Sequence, residues 1–258
     1  RISIFCFGVV IALQGCSDFL ETEPLDQLTV ENYYQTEEDI DRATLAAYAP
    51  MMDLEWQGKS WMMTEIPSDN TQAGGTDPDF TPIDNFTVSA DNVQVANFWA
   101  IRYRQIVMAN VVIDKLKEMT LDQVVKDKYE GEARFLRAIA YFDLVRIYGG
   151  VPLVLNTPVF GEDMNLPRSS VTDVYAQIEE DLLFAEGSLP QTWSGANVGR
   201  ATKGAAMSLL AKVYLTNRDF LGAKNYAKAV MDKGIYQLLD SYDANFELGT
   251  SDNNVESI

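Results

Sequence analysis

From residue 36 onward apolar side chains recur every three or four positions, the spacing that gathers them on one face of a helix. Thr36 ahead of Glu37, Glu38 and Asp39 sets a capping hydroxyl before first-turn acids, which predicts a helix to about Met52. Val95, Trp99, Ile106, Ile113 and Leu116 hold the same period between Asn92 and Met119, a spacing that makes Trp99 a core residue. Thr120 and Gln123 then have the spacing of a capping box, so a second long helix is expected from about Leu121 to Tyr148. It carries two apolar stripes, one of Ala133, Leu136, Ala140, Leu144 and Ile147, the other of Phe135, Ile139, Phe142 and Val145. A helix apolar on two faces packs between neighbours. Gly149, Gly150, Val151 and Pro152 end it with a left-handed stop and a helix breaker.

Further helices are expected from Ser169 or Ser170 to near Gly187, from Thr202 to about Asn217, and from Asp219 to Lys233 with a stop at Gly234. Leu210, Ala211, Tyr214, Ala223 and Ala227 fall where a tetratricopeptide (TPR) repeat places its Leu, small residues and ring. A generic helical hairpin would use the same residues, but the amphipathic helices before it favour a repeat. The expected fold is all-α, a TPR-like solenoid of helical pairs with long irregular loops. The longest break in the pattern is residues 53–91, with Gly74-Gly75, several prolines and the rings Trp56, Trp61, Phe80 and Phe86. Long structureless loops in compact domains are uncommon and often functional. A shorter irregular stretch, residues 188–201, adds Trp193.

Composition narrows the chemistry. With 20 Lys and Arg against 38 Asp and Glu, the 258-residue chain carries a formal charge of −18, which repels nucleic acid and offers it no basic patch. It contains no histidine, which removes Ser-His-Asp and Cys-His catalysis and His-ligated zinc. At 47% hydrophobic the chain has the stock for a sizeable core. Asp77, Asp79 and Asp84 lack the alternate-position spacing of a helix-loop-helix calcium site, so no metal and no cofactor is expected. The acidic runs Glu37 to Asp39 and Glu179 to Asp181 read as helix ends and solvated faces, while Arg134 and Arg137 are expected to pair with acids on a neighbouring helix.

The start of the chain has its own pattern. Arg1 precedes the uncharged run Ile2 to Leu13, then Gln14, Gly15 and Cys16. That run makes a helix of about 18 Å, short of the roughly 30 Å needed to span a bilayer, so it reads as an export signal whose first residues precede Arg1. Leu13 and Gly15 before Cys16 resemble the lipobox of bacterial lipoproteins, in which the cysteine is acylated and becomes the first mature residue. Residues 1–15 are then the signal and residues 16–35 a polar, acidic, lipidated tether to a body over residues 36–258. Cys6 leaves with the signal, so no disulfide framework is expected.

Three segments carry a family resemblance: Cys16 to Pro24 (CSDFLETEP), Glu130 to Val154 (EGEARFLRAIAYFDLVRIYGGVPLV) and Gly199 to Leu215 (GRATKGAAMSLLAKVYL). They resemble the SusD/RagB family of nutrient-binding outer-membrane lipoproteins. Members of that family are longer, so the chain is expected to continue beyond Ile258. The resemblance implies a TPR-like protein tethered by lipid at Cys16 on the exterior of the outer membrane. It implies partnership with a SusC-like TonB-dependent transporter, to which the protein hands captured oligosaccharides or, in some relatives, peptides.

Sugar faces stack on aromatic rings and hydroxyls bond to Asp, Asn, Gln and Arg, a mode needing neither metal nor histidine. The trio Ser68, Asp69 and Asn70 resembles the family segment near the ligand face, which makes Asp69 and Asn70 candidate hydrogen-bonding residues and Trp61 or Phe80 candidate platforms. Turn formation is the alternative role of Asp69 and Asn70, and plugging the core that of Trp61. A surface glycoside hydrolase and a TPR-type adaptor for protein segments remain alternatives to a capture protein without catalysis.

Overall fold

The computed structural model describes residues 33–52, 62–74, 78–159, 161, 165–247 and 254–258. Cys16, Trp56, Trp61 and Asp77 lie outside the described residues, and all that follows concerns the unit over residues 36–258. Its helices are α1 (Glu37–Met52), α2 (Phe80–Asp84), α3 (Val93–Glu118), α4 (Gln123–Tyr148), α5 (Val171–Ser188), α6 (Lys203–Thr216) and α7 (Phe220–Asp232). Two short 3-10 turns, Gly195–Asn197 and Tyr242–Phe246, complete the regular structure, and no strand occurs among the described residues.

Most helix starts follow the capping chemistry. Thr36 Oγ1 accepts from the Asp39 amide while Asp39 Oδ2 accepts from the Thr36 amide, a reciprocal box that opens α1. Asn92 caps α3 by accepting from the amides of Gln94 and Val95, and Ser170 with Asp173 forms a full capping box on α5. The expected Thr120–Gln123 box is a correction. α4 begins two residues later than that box requires, with Asp122 at its N-cap and no side-chain cap, and the Gln123 side-chain Nε2 donates to Asp127 Oδ1 instead. At the other end Gly149 turns with φ 70°, and a Cβ on Gly150 would stand 2.2 Å from the Ser169 carbonyl oxygen, so neither position admits a side chain.

Each long helix packs on the one before it, α3 on α4, α4 on α5, α5 on α6 and α6 on α7, with α1 laid across α3 and α4. That serial pairing of helices is the TPR-like solenoid expected from the sequence. The middle member, α4, is buried on both apolar stripes: Ala133, Leu136, Ala140 and Leu144 are fully covered, and Phe135, Phe142 and Val145 nearly so. Trp99 is half-buried, edge-on to Tyr148 with ring centroids 5.0 Å apart, and packs on the core from its margin. Tyr214 of α6 stacks on Tyr226 of α7 at 5.6 Å, which places the TPR-pattern ring between paired helices. No helix of the described residues is long and apolar enough to cross a membrane.

After Gly150 the chain runs extended along the helix layer, where side chains do what a neighbouring strand would do. Tyr103 donates to the Pro152 carbonyl (2.7 Å), Asn110 to those of Val154 (2.8 Å) and Asn156 (3.1 Å), and Arg137 to that of Leu155 (3.3 Å). The Val154 amide donates to Tyr141 Oη at 2.7 Å and the Thr157 amide to Asp114 Oδ2 at 2.7 Å. Backbone groups that would otherwise be stranded against the core are thereby satisfied.

Charges buried on α4 bind it to its neighbours. Arg137 meets Asp181 of α5 in a bidentate pair at 2.7 and 2.8 Å, and Arg134 adds longer contacts to Asp181 and Glu180, as expected of both arginines. Asp181 is 0% exposed. The reading of Glu179 to Asp181 as a solvated face therefore fails at Asp181, because Arg137 on the facing helix takes the carboxylate inward. Asp143 pairs with the buried Arg102 of α3 at 2.8 Å and with Arg146 of its own helix. Glu132, also 0% exposed, accepts from Arg200 Nε and Nη2, both at 2.8 Å, and from the Tyr48 hydroxyl of α1 at 2.8 Å. Burial pushes the Glu132 and Asp181 carboxyls up from their ordinary values against the opposing pull of Arg200 and Arg137. Burial and the Glu132 charge likewise push the Tyr48 phenol up, which keeps it a donor.

Two outcomes follow from these pairs. Arg137→Ala, which strands the Asp181 carboxylate, is expected to cost about 3–5 kcal/mol in denaturant unfolding, whereas the double variant Arg137→Met/Asp181→Leu recovers most of that loss. A carboxyl raised in the folded state stabilises below its unfolded value, 4.5 for Glu132 and 3.8 for Asp181, and that contribution is lost as pH rises through the folded value. The contribution of these two carboxyls to the thermal midpoint therefore falls as pH rises from about 4.5 towards neutrality. Measuring in 1 M salt, where the Debye length is about 3 Å, removes the repulsion among surface acids that acts in the same direction. Glu132→Gln should give a shallower slope than the parent; an unchanged slope would count against this origin.

Candidate functional site

Between α1 and α3 the chain departs from the helical stack, and its two described stretches, residues 62–74 and 78–92, are tied together. The first starts as a helical turn over residues 62–65 and closes on itself: Ser68 Oγ donates to the Glu65 carbonyl at 2.6 Å, the Thr71 hydroxyl donates to the same oxygen, and the Asn70 amide donates to Ser68 Oγ at 3.3 Å. The second contains α2, so the expectation of a structureless stretch over residues 53–91 is corrected at Phe80–Asp84. Its helix is short because Pro82 cannot extend a longer ladder and a tight C-terminal turn follows. The Ala73 amide donates to Asp84 Oδ2 at 3.1 Å, joining the stretches, and Asn92 Nδ2 donates to the Asp79 carbonyl at 2.9 Å, joining them to the start of α3. Ile66 and Ile83 are buried and root the loops in the body.

On this base Asp69 and Asn70 stand exposed at the turn after residue 68, and Phe80 is half-buried at the start of α2. The turn role weighed for Asp69 and Asn70 is met by Ser68, whose hydroxyl closes the turn and leaves both side chains toward solvent. The candidate platform Trp61 lies outside the described residues. Asp84 serves as the acceptor that joins the two stretches, and no group of acids with metal-holding geometry occurs among the described residues.

A second feature was not anticipated from the sequence. A cleft of about 590 Å³ opens where α1 meets the segment after α5, walled by Met52, Ile139, Trp193, Tyr236 and Ile258, with Arg200 at its floor. The arginine is spoken for: beyond Glu132, its Nη1 donates to Asp41 Oδ1 at 2.5 Å and Asn197 Oδ1 at 3.1 Å. Trp193 covers the guanidinium at 5.0 Å and donates its indole N–H to the Ala201 carbonyl at 2.8 Å. Hydrogen bonds to Glu132 and Asp41 outweigh burial and push the Arg200 pKa up, so the group is a permanent cation locked in a structural knot. The cleft is thus an apolar hollow over a satisfied ion cluster. The loops, with exposed polar side chains on a braced backbone, are better suited to hold hydroxyl-rich ligands. The signal that could have found the cluster was present in two of the quoted segments, which contain Glu132 and Arg200.

Comparison with known proteins accords with this architecture. Residues 18–215 match the SusD-like family described as "Starch-binding associating with outer membrane". SusD-like protein P2 of Formosa agariphila is 31% identical over 229 residues, covering 87% of this chain and 45% of that protein. A SusD superfamily protein of Bacteroides vulgatus superposes with a TM-score of 0.80 at 26% identity, covering 88% of this chain and 50% of its own. A laminarin-binding SusD-like protein does so with a TM-score of 0.75 at 28% identity, covering 84% and 50%. The chain spans about half the length of these relatives. With its serial helix pairs, its buried charge clusters on α4 and a family match over most of its length, the chain belongs to the SusD-like family.

Proposed function

We propose that the protein is a surface glycan-binding lipoprotein that captures oligosaccharides and delivers them to a SusC-like TonB-dependent transporter in the outer membrane. The observation that carries this reading is the match of residues 18–215 to a starch-binding, outer-membrane family, supported by likeness to a laminarin-binding relative. The braced loops add a physical reason, since Asp69 and Asn70 offer a carboxylate and an amide to sugar hydroxyls without metal or histidine. Capture without chemical change needs only such hydrogen bonds and a ring to stack on. In this reading acyl chains on Cys16 hold the protein at the outer membrane, facing the cell exterior.

Calorimetry of the full chain against maltoheptaose and laminarihexaose tests the binding role. Asp69→Ala and Asn70→Ala should each weaken binding about tenfold, the equivalent of one lost hydrogen bond to a polar ligand, with an unchanged thermal midpoint because both positions are exposed. Release of reducing sugar by the purified chain would instead favour a hydrolase, and tight binding of peptides with no sugar affinity an adaptor. Radiolabelled palmitate should enter the expressed protein and fail to enter Cys16→Ser; recovery of unlabelled parent protein from the soluble fraction would sink the anchor.

A further inference from the structure

The end of α2 is built as a Schellman turn: the Thr87 amide donates to the Pro82 carbonyl at 2.9 Å and the Phe86 amide to that of Ile83 at 3.4 Å. The residue at the left-handed position of such a turn is usually Gly or Asn, because a Cβ there crowds the backbone. Here it is Phe86, at φ 56°. The same motif ends α6, where the Asp219 amide reaches the Tyr214 carbonyl, and seats Arg218 at φ 65° with its charged side chain in water. Phe86 has no such outlet, since its ring is apolar and 78% exposed. It therefore carries two costs, a strained backbone and a hydrated aromatic face, and its exposure shows that packing within the described body repays neither.

Its surroundings narrow what does. Every residue from Asn85 to Asp91 is exposed, so the ring is a single plate whose chain neighbours are mostly polar, Asn85, Thr87 and Ser89, with Val88 and the small Ala90 the other apolar side chains. A protein partner large enough to bind stably seeks a broad apolar patch, which this plate is not. A sugar ring offers one apolar face edged by hydroxyls, the complement of a plate with neutral donors and acceptors around it. Asp84 and Asp91 flank the turn, and the chain as a whole is at −18, which disfavours acidic glycans. The Ala73–Asp84 hydrogen bond joins this turn to the stretch that presents Asp69 and Asn70. We propose that Phe86 is a ligand-stacking residue for a neutral oligosaccharide, held in a strained turn so that its ring faces solvent before the ligand arrives. This rests on the glycan-capture reading.

The test is calorimetry of the full chain and its variants against maltoheptaose and laminarihexaose, paired with thermal unfolding. Phe86→Ala should weaken binding of whichever sugar the parent binds at least tenfold, while Phe86→Tyr stays within about twofold. Phe86→Asn should likewise weaken binding and raise the thermal midpoint by about 2 °C, because Asn suits the left-handed position. A parent that binds and a Phe86→Ala variant that binds equally well would overturn the stacking role and leave the capture reading standing. A thermal midpoint lowered by several degrees in both Phe86→Ala and Phe86→Asn would make the ring a structural plug and overturn it too. A parent that binds neither sugar would sink both readings together.

Discussion

The structure depends on the charges buried along α4. Glu132, Arg137 and Asp143 each reach a different element: Arg200 of the segment before α6, Asp181 of α5 and Arg102 of α3. Apolar packing alone would let neighbouring helices slide by a turn at little cost, because Leu, Ala and Phe stripes complement one another in several registers. A buried charge does not allow that. If α5 slipped by one turn, Asp181 would lose its bidentate partner and stand uncompensated in the interior. The hydrophobic stripes supply the drive to collapse, and the ion pairs select one register from those the stripes permit.

The same device extends outward from α4. Glu132 is also the acceptor for Tyr48 of α1, and Arg200 reaches on to Asp41, so one cluster ties α1 and the segment before α6 to each other and to the central helix. Arg137 bonds Asn110 of α3 at 2.7 Å and, with it, the extended segment after Gly150. A segment with no partner strand among the described residues thereby keeps its backbone groups paired, and the body acquires a rigid flank.

Against this rigid body the stretches between α1 and α3 follow different rules. They are joined to it by buried Ile66 and Ile83 and by the Asn92 side chain, yet they leave Asp69, Asn70 and Phe86 to solvent. Stability resides in helix contacts and buried ion pairs, while the candidate ligand groups are exposed side chains whose substitution costs little folding energy. That division suits a binding protein, since loops can change specificity without disturbing the scaffold. The strong negative charge of these 258 residues repels acidic ligands, which is compatible with such a role.

What the sequence determined by itself was the set of helices and their mutual dependence. The 3.6-residue period, the capping residues Thr36, Asn92 and Ser170, and the glycine stop at 149–150 are local signals, set within a few residues of where they act. The two apolar stripes announced that α4 would be central. Its N-terminus was misplaced because capping-box spacing recurs by chance, and the short helix Phe80–Asp84 was missed because five residues carry too little periodicity to read. Only the tertiary structure decided which acids were solvated and which buried. Glu179 to Asp181 is one uninterrupted acidic run in sequence, and the presence of Arg137 across a helix interface, 44 residues away, takes Asp181 inward. The same holds for Phe86, whose strain and exposure arise from the turn in which it is placed; a backbone angle and a solvent-facing ring are properties of three-dimensional placement that residue identity does not encode.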